Sequence, residues 1–559
     1  MAIPVFRNSR CGDTRDGDGK NWGRLIKVVD ADGREHHWAM PASFLASTRG
    51  EFYREYLFSL GAILAPSHAA CAALHRFLSA TVDLEGRELP RSRAAARLGW
   101  HDGVFVLPTR ALGGSEKVVY QSSAALSAAV RERGTLQEWQ DRVAAPAEKN
   151  SRVALALCAS LAAPLLQPLQ LDGCGIHFRG GSSIGKTTAL HVAGSVWGGP
   201  CEQGGLNGYK QTWQATANGV EGMAQAHCDL PLCLDELGLI KGDDAARISY
   251  QLATGIGRAR ATKSGNSAPR LEWRVVLIST GEISLADKIV EGKSQLRTMA
   301  GQEVRFLDIP ADTETGFGIF DDAPEAGNGV PKQDRGRSLA DQFNAASQAV
   351  FGTAGPAFAE AFIADWLDSI EQARNVISEF AVIHASGCNG QVQRVARTFG
   401  LMAAAGELAI NYNVLPWAAG AAVMAASICF KSWLANRGTT GASELHNAIA
   451  HLRAVIESDG SARFQKIGGN AEQVRERLGY VRTSRDGDTH YLILSESWKG
   501  IFTGRDPQRL ARELADRSIL LRGSENRSTQ KQRINGGNPQ RVYVVSHSAL
   551  FDDEGDGNA

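Results

Sequence analysis

The pattern of hydrophobic and polar positions changes several times along the chain. Over residues 149–310, apolar runs of strand length alternate with stretches in which apolar residues recur at helical spacing. The run "GIHF" (175–178) predicts a short strand, and "KTTALHVAGSVW" (186–197) predicts a helix. This alternation is typical of an α/β fold that is built on a parallel sheet.

The regions on either side follow other patterns. Residues 24–40 alternate in their first arm and turn at an Asp-Gly pair, which predicts a β-hairpin. Residues 341–450 are helical almost throughout, whereas 311–340 are rich in Gly, Asp and Pro and predict a long surface loop. The predicted domains are an N-terminal α/β domain (1–148), a central α/β core (149–310), the loop (311–340), a helical lid (341–450) and a mixed C-terminal domain (451–559).

Composition adds three constraints. The 559 residues carry no net charge, so a nucleic-acid site would have to be a local basic patch rather than a global field. Nine cysteines without CxxC pairs fit a reducing environment better than a disulfide framework. The N-terminus lacks the apolar run of a signal peptide, and the most apolar stretches are shorter than the ~20 residues of a spanning helix. We expect a cytoplasmic protein without a membrane partner.

The stretch "FRGGSSIGKT" (178–187) has the GxxxxGK[ST] spacing of a phosphate-binding loop. Backbone N–H groups of such a loop turn toward phosphate oxygens, Lys186 can reach the β and γ phosphates, and Thr187 can offer its hydroxyl to Mg²⁺. The following helix would direct its positive end at the phosphates. The predicted cofactors are ATP and Mg²⁺, and the predicted binding residues are Gly180, Gly181, Ser182, Ser183, Ile184, Gly185, Lys186, Thr187 and Thr188.

Two later strands supply candidate partners for this loop. In "LPLCLDELG" (230–238), Asp235 would hold the water shell of Mg²⁺, and Glu236 would orient and deprotonate the attacking water. In "WRVVLISTGE" (273–282), Thr280 or Ser279 would lie between the acidic and phosphate loops and contact the γ-phosphate or the water. Thr280 is preferred for this sensor position, and Ser279 remains the alternative.

Arg305 is predicted within a short apolar strand in "GQEVRFLDIP" (301–310). A lone arginine in a strand often pairs at the surface. In a ring-shaped ATPase it would instead reach the γ-phosphate of a neighbouring subunit as an arginine finger. Arg297 is the alternative finger.

Two segments concentrate positive charge. Arg258, Arg260 and Lys263 surround a Ser-Gly-Asn tip within 255–273, which is either a solvated basic loop or a DNA contact. Near the C-terminus, Arg527, Lys531 and Arg533 lie in a basic stretch (521–545) that follows a helix. That arrangement predicts a winged helix with a basic wing, which would serve either DNA binding or protein docking.

Six strings resemble a bacterial family, the domain of unknown function 927. They are "NWGRLIKVVDADGREHHWAMP", "GGSSIGKTTALHVAGSVWG", "TWQATANGVEGMAQAHCDLPLCLDELG", "VVLISTGE", "GQEVRFLDIPAD" and "FGLMAAAGELA". The resemblance runs through nearly the whole chain. Members of this family occur in prophages, plasmids and genomic islands, and the family is similar to AAA+ helicases. Its best-studied relatives, on staphylococcal islands, resemble the minichromosome maintenance helicases.

The resemblance implies an α/β fold with an AAA+ P-loop NTPase core and a parallel sheet, a mixed N-terminal domain, a helical lid and a winged-helix-like C-terminal domain. It matches Arg305 to the finger arginine, and it matches Arg394 to the sensor arginine of the lid, with Arg397 as the alternative. In such rings a hairpin before the sensor strand projects into the pore, which would give Arg258, Arg260 and Lys263 a DNA-gripping role.

The implied function is a ring-forming, ATP-dependent DNA helicase or translocase that replicates a mobile element. Its expected partners are single-stranded DNA in a central pore and other copies of itself in a hexamer. Longer members carry a primase-like or zinc-binding segment ahead of this region. The resemblance therefore implies either a separately encoded primase or a natural start upstream of Met1. The alternative is a nucleotide-switched scaffold, a loader or a defence ATPase that does not unwind DNA.

Overall fold

The computed structural model describes most of the chain. The described residues are 9–46, 50–65, 67–80, 82, 86–120, 129–200, 208–258, 270–290, 305–325, 330–437, 443–459, 462–468, 474, 476–484, 487–502, 507–523, 527–534 and 538–551. The chain divides into two compact units. One comprises Met1–Gly292, Gly301–Ser386 and Arg394–Trp433, and the other comprises Lys293–Ala300, Gly387–Gln393 and Leu434–Ala559.

The regular elements are numbered in chain order. The strands are β1 (Ser9–Arg15), β2 (Gly23–Val29), β3 (Glu35–Pro41), β4 (Arg91–Ala95), β5 (Gly99–His101), β6 (Val104–Val106), β7 (Ala111–Leu112), β8 (Val118–Tyr120), β9 (Cys174–Arg179), β10 (Gln211–Thr212), β11 (Leu230–Asp235), β12 (Val275–Gly281), β13 (Phe306–Pro310), β14 (Phe464–Lys466), β15 (Gly479–Thr483), β16 (Thr489–Leu494), β17 (Leu520–Leu521), β18 (Gln530–Gln532) and β19 (Gln540–Ser546).

The helices alternate with these strands. They are α1 (Glu51–Ser59), α2 (His68–Ser79), α3 (Leu136–Trp139), α4 (Ala145–Ala147), α5 (Ser151–Ala162), α6 (Lys186–Gly194), α7 (Ala217–Ala226), α8 (Gly242–Thr254), α9 (Leu285–Val290), α10 (Lys332–Ala349), α11 (Ala354–Ala364), α12 (Trp366–Ala385), α13 (Gly390–Asn411), α14 (Ala421–Arg437), α15 (Ser443–Asp459), α16 (Ser495–Ile501), α17 (Pro507–Asp516) and α18 (His547–Phe551).

The N-terminal part of the first unit is built on a mixed sheet. Among the described residues its strand order is β3-β2-β1-β4-β8. Strands β2 and β3 form the predicted hairpin, in which Gly33 has φ 81° and its amide donates to the carbonyl of Asp30. Ile26 and Trp38, from the two arms, pack with Tyr53 and Leu57 of α1. The alternating pattern of the first arm therefore buries one face of the hairpin.

The central sheet is parallel, as the alternation of apolar runs predicts. Its order in the described residues is β10-β11-β12-β9-β13, and each neighbouring pair runs parallel. Strands β11 and β12 are buried almost throughout, and every residue of α5 is buried. Because all strands of a parallel sheet point the same way, the loops after β9, β11 and β12 emerge at one edge.

A buried ion cluster joins the two parts of this unit. Asp229, directly before β11, is completely buried and accepts from Nε and Nη2 of Arg274 at 2.7 and 2.9 Å. It also accepts from the backbone amide of Trp100 at 2.9 Å, and Arg97 approaches to 4.0 Å. A buried carboxylate needs such partners because removal of charge from water is unfavourable. The predicted boundary at residues 148 and 149 thus falls inside a single compact unit.

The predicted loop over 311–340 is shorter in the structure, because α10 begins at Lys332. Leu339 and Phe343 are buried four residues apart, so helical periodicity starts within the predicted loop. Gly336 lies inside this helix where a Cβ atom would be 2.5 Å from the carbonyl oxygen of Phe317. Here glycine marks a close packing contact and not a loop.

The second unit is a smaller α/β unit. Its described strands follow the order β14-β15-β16-β19-β17, and β18 pairs with β19. Trp498 of α16 and Leu510 and Leu514 of α17 are buried in its core. The β18–β19 hairpin, which comes after helix α17 in the chain, coincides with the predicted basic stretch that follows a helix. No helix in the described part of either unit is long and apolar enough to cross a membrane.

Candidate nucleotide-binding site

The predicted phosphate loop connects β9 to α6 at the carboxyl edge of the parallel sheet. Gly185 has φ 97° directly before α6, a left-handed conformation that favours glycine. At Gly180 a Cβ atom would lie 2.6 Å from Cδ1 of Ile184. The amide of Ile319 donates to the carbonyl of Ile184 at 2.8 Å, so the segment after β13 supports the loop from outside. Sequence reasoning did not identify that support.

Lys186 lies in the first turn of α6 and folds back over the loop. Its Nζ donates to the carbonyl oxygens of Gly180 and Gly181 at 2.9 and 2.5 Å. Burial lowers the pKa of Lys186, and the nearby carboxylates of Glu282, Glu236 and Asp235 oppose that shift. An ammonium on the loop beside free helix amides is the arrangement that binds phosphate.

Asp235 ends β11 and faces the phosphate loop. Its carboxylate accepts from Thr187 Oγ1 at 3.3 and 3.2 Å, from Thr280 Oγ1, and from Nζ of Lys210 at 2.9 Å. Burial acts to raise its pKa, but the hydrogen bonds from Thr280, Lys210 and Thr187 outweigh burial and hold the pKa below its usual value. Thr187 and Asp235 therefore form an oxygen pair of the kind that Mg²⁺ uses beside phosphates.

Glu236 follows Asp235 in a strained backbone conformation. Its φ and ψ are 62° and 74°, in a left-handed region that residues other than glycine seldom occupy. Its amide donates to Thr280 Oγ1 at 3.4 Å, which links the acid strand to β12. Strain of this kind concentrates at functional sites, where the surroundings impose it.

The structure separates the two candidates for the sensor position. Ser279 is completely buried, where it accepts from Trp213 Nε1 at 2.8 Å and bonds to Nδ1 of His177 at 3.0 Å. Thr280 instead contacts the Asp235 carboxylate and the Glu236 amide. The hydroxyl of Ser279 is thus committed to the core, and the hydroxyl of Thr280 belongs to the cluster at the sheet edge.

Lys210 is a member of this cluster that sequence reasoning missed. It lies directly before β10, which pairs with β11 so that Thr212 is opposite Asp235. No motif contains Lys210, and it is 25 residues from its partner. Only the strand pairing brings it to the site, and a two-residue strand leaves no periodic signal in the sequence.

Arg305 lies at the opposite edge of the sheet. Strand β13 begins at Phe306. Arg305 therefore precedes the strand, whereas the sequence predicts it within the strand. Its Nη2 pairs with Asp172 at 3.1 Å. Phe306 is in register with Gly175 at the start of β9, whereas the phosphate loop follows the end of β9. A six-residue strand spans about 20 Å, which places Arg305 out of reach of its own phosphate loop. The alternative finger, Arg297, is outside the described residues.

Arg394 and Arg397 are both exposed on α13. Within the described part of the chain, neither side chain forms a hydrogen bond or an ion pair, including with the phosphate loop. The structure therefore gives no contact that distinguishes the two sensor candidates.

Arg258 lies at the base of the predicted DNA loop. Its Nε is 3.5 Å from the buried carboxylate of Glu221, and its Nη2 is buried and has no hydrogen-bond partner among the described residues. The two ends of the loop meet where the amide of Gly257 donates to the carbonyl of Leu271. Arg258 thus anchors the loop and lines a cavity of about 550 Å³. The other two predicted cations, Arg260 and Lys263, are outside the described residues.

The predicted basic residues of the C-terminal unit are described and exposed. Arg527 and Arg533 flank β18, and Lys531 lies within it. Lys531 is directly opposite Arg541 of β19, so like charges face each other across the hairpin. Such a pair is unfavourable without an anionic partner.

Comparison with known proteins places part of the chain in a family. Residues 11–270 match the family model described as "Domain of unknown function (DUF927)". This segment belongs to the DUF927 family. The DUF927 segment contains the phosphate loop, Asp235 and Glu236, and it ends before Thr280 and Arg305. No curated protein matches the sequence.

Solved structures extend the fold comparison beyond the DUF927 segment. The structure "SCCmec type IV Cch - active helicase" is similar to this chain with a TM-score of 0.70 at 18% sequence identity. The similarity covers 97% of this chain and 94% of that chain. At this identity the similarity establishes a shared fold along almost the whole chain.

Proposed function

We propose that this protein is a ring-forming AAA+ ATPase that translocates on DNA and unwinds it. The observation that carries the proposal is the convergence of Lys186, Thr187, Asp235, Glu236 and Thr280 at the carboxyl edge of one parallel sheet. These residues come from three separate segments of the chain, the start of α6 and the ends of β11 and β12. Together they provide a phosphate cradle, a metal-binding oxygen pair and a candidate base.

In the proposed mechanism, residues 180–188 bind the phosphates of ATP through loop amides and the Lys186 ammonium. Thr187 and Asp235 would hold Mg²⁺, which would neutralise phosphate charge. The hydrogen bonds on Asp235 keep this carboxylate ionised and oriented.

Glu236 is the proposed base, and it accepts a proton from the attacking water. Thr280 hydrogen-bonds to both Asp235 and the Glu236 amide, so it fixes the metal-binding acid relative to the base. It is the proposed sensor. Because hydrolysis of a phosphoanhydride depends mainly on positioning and charge, such fixation contributes directly to the rate.

A ring completes this site. Arg305 lies too far from its own phosphate loop to act in cis, which supports a finger role toward a neighbouring copy. We assign the lid sensor to Arg394, with Arg397 as the alternative, on the family resemblance alone. A hexamer is the proposed assembly.

Two basic segments are the proposed DNA contacts. Arg260 and Lys263 would grip the phosphates of a single strand in the pore, with Arg258 at the base of their loop. Arg527, Lys531 and Arg533 would bind DNA through the C-terminal hairpin, which we interpret as the wing of a winged helix. The helicase named in the fold comparison supports DNA unwinding over a switch that only hydrolyses ATP. We propose replication of a mobile element on the family resemblance alone.

The decisive experiment measures ATP turnover and strand displacement on a forked DNA with the wild-type protein, Lys186→Ala and Glu236→Gln. We expect both substitutions to lower turnover by at least ~10²-fold, because each removes transition-state charge stabilisation or the base. Glu236→Gln should still bind ATP. Wild-type turnover in both variants would refute the ATPase, and hydrolysis without displacement would favour the scaffold or loader.

A further inference from the structure

Lys210 is the one cation that bonds to the Asp235 carboxylate within the described residues. Its Nζ lies 2.9 Å from Oδ2, and both side chains are largely buried. The other donors to this carboxylate, Thr187 and Thr280, are neutral hydroxyls. Lys186 directs its ammonium to the loop carbonyls instead. A fixed positive charge therefore accompanies the carboxylate that would bind Mg²⁺.

The backbone on both sides of Lys210 is anchored. The buried hydroxyl of Tyr209 donates to the carbonyl of Pro231 at 2.9 Å, and the amide of Tyr209 donates to the carbonyl of Gly199 at 2.9 Å. On the other side, Gln211 pairs with Leu234 of β11. These contacts fix the Cα atom of Lys210 beside the end of β11, within reach of the Asp235 carboxylate.

We infer that Lys210 is a positioning residue that acts as the resident counter-ion of Asp235 and sets the Mg²⁺ affinity of the nucleotide site. The inference rests on the proposed nucleotide binding. An ammonium and Mg²⁺ that share one carboxylate repel each other, so Lys210 weakens metal binding. The same ammonium attracts phosphate oxygens, so it strengthens nucleotide binding when the metal is absent.

These two effects have opposite signs, which gives the inference a distinctive signature. Neutralising Lys210 should lower the affinity for metal-free nucleotide and should lower the Mg²⁺ concentration at half-saturation. Substitution of a residue that merely supports the fold would weaken both metal-free nucleotide binding and Mg²⁺ binding. For partly buried charges at this spacing, we expect changes of roughly threefold to tenfold.

The test is equilibrium binding of a fluorescent ATP analogue, first in EDTA and then across a Mg²⁺ titration. The variants are Lys210→Met and Lys210→Gln, which remove the charge with different polarity, and Lys210→Arg, which keeps it. Lys117→Met is the matched control, since Lys117 is an exposed lysine before β8. Urea unfolding midpoints identify which of the two neutral variants are folded.

The expected result is the crossed shift in the neutral variants, with Lys210→Arg and Lys117→Met close to wild type. Metal-free affinity and Mg²⁺ affinity that fall together, or that stay at wild-type values, would overturn the inference and leave the ATPase proposal intact. A wild-type protein without any Mg²⁺-dependent nucleotide binding would overturn the proposed function, and this inference with it.

Discussion

The backbone conformation of Glu236 determines which side chains the end of β11 presents to the candidate site. Successive side chains of a strand point to opposite faces, so Asp235 and Glu236 could not both serve one site if β11 continued. The positive φ at Glu236 ends the strand and redirects the chain into a 3₁₀ turn over Leu237–Leu239. A conformation of this kind carries an energy of roughly 1–3 kcal/mol. The packing of β11 and β12 must supply it.

His177, in the middle of β9, gives the residue-scale prediction. It is completely buried between Ser279 Oγ and the carbonyl of Ile283, and burial lowers its pKa to about 4. In the unfolded chain it would take up a proton near pH 6.5. Its contribution to stability is therefore fully present above pH 6.5 and is lost as the pH falls toward 4.

We expect the free energy of unfolding to fall between pH 7 and pH 5 by about 2 kcal/mol less in His177→Gln than in the wild-type protein. Urea titrations followed by tryptophan fluorescence at the two pH values measure the difference. Other buried histidines titrate in both proteins, so only the difference between them reports on His177. Equal losses would show that His177 does not contribute to this pH dependence.

At the residue scale, the sequence predicts those site members whose spacing is imposed by the backbone. A phosphate loop needs Gly185, Lys186 and Thr187 in fixed order, because consecutive amides must face one anion. Lys210 obeys no such rule, since its position depends on a β10–β11 pairing that only the folded sheet creates. The choice between Ser279 and Thr280 likewise rests on His177 and Trp213, which occupy one hydroxyl.

At the scale of elements, the position of Arg305 before β13 predicts that one copy of the protein supplies the arginine and a neighbouring copy supplies the phosphate loop. If Arg305 is the proposed finger, Arg305→Ala should bind nucleotide like the wild type and hydrolyse it at least ~10²-fold more slowly, because an arginine finger acts only in the transition state. A mixture of the Arg305→Ala and Lys186→Ala proteins should regain activity at interfaces that combine one intact phosphate loop with one intact Arg305. Turnover assays on the separate and mixed variants measure this. Normal turnover by Arg305→Ala alone would contradict the finger assignment.

The elements themselves were predictable where one face or both faces of a strand are buried. Runs such as 230–235 read as buried strands because both faces of β11 are covered. Helix α10 begins earlier than predicted, because Gly336 belongs to the stretch whose Gly, Asp and Pro content predicts a loop, whereas in the structure it permits close contact with Phe317. Glycine content alone cannot distinguish freedom of the backbone from close packing.

At the scale of the whole molecule, the two basic segments should differ in what they control. The double substitution Arg260→Glu and Lys263→Glu should abolish the stimulation of the ATPase by DNA and leave basal hydrolysis unchanged. The loop that carries these residues lies between β11 and β12 in the chain, so DNA bound to it could act on the candidate site at the ends of those strands. Arg527→Gln, Lys531→Gln and Arg533→Gln together should weaken DNA binding without changing the ATPase rate at saturating DNA. Both sets of substitutions should reduce the salt dependence of DNA binding. The variants form fewer phosphate contacts, so fewer counterions are released when DNA binds.

ATPase rates against DNA concentration at two salt concentrations measure these effects. Arg258 is omitted from the first set because its pairing with Glu221 gives it a structural role. Full DNA stimulation in the loop variant would refute the pore-loop mechanism and favour the scaffold.

The buried cluster around Asp229 has a consequence for how such genes can recombine. The partners of the Asp229 carboxylate come from segments that are far apart in the chain. Arg97 and Trp100 precede it, and Arg274 follows it. A crossover between related genes that replaced only the first 150 codons would pair this carboxylate with a foreign set of partners, and a mismatched buried charge is strongly destabilising. Breakpoints that yield functional chimaeras should therefore avoid the interval between the codons for Arg97 and Arg274. They should be better tolerated near residue 433, because the whole Asp229 cluster then comes from one parent and the largest segment of the second compact unit begins there.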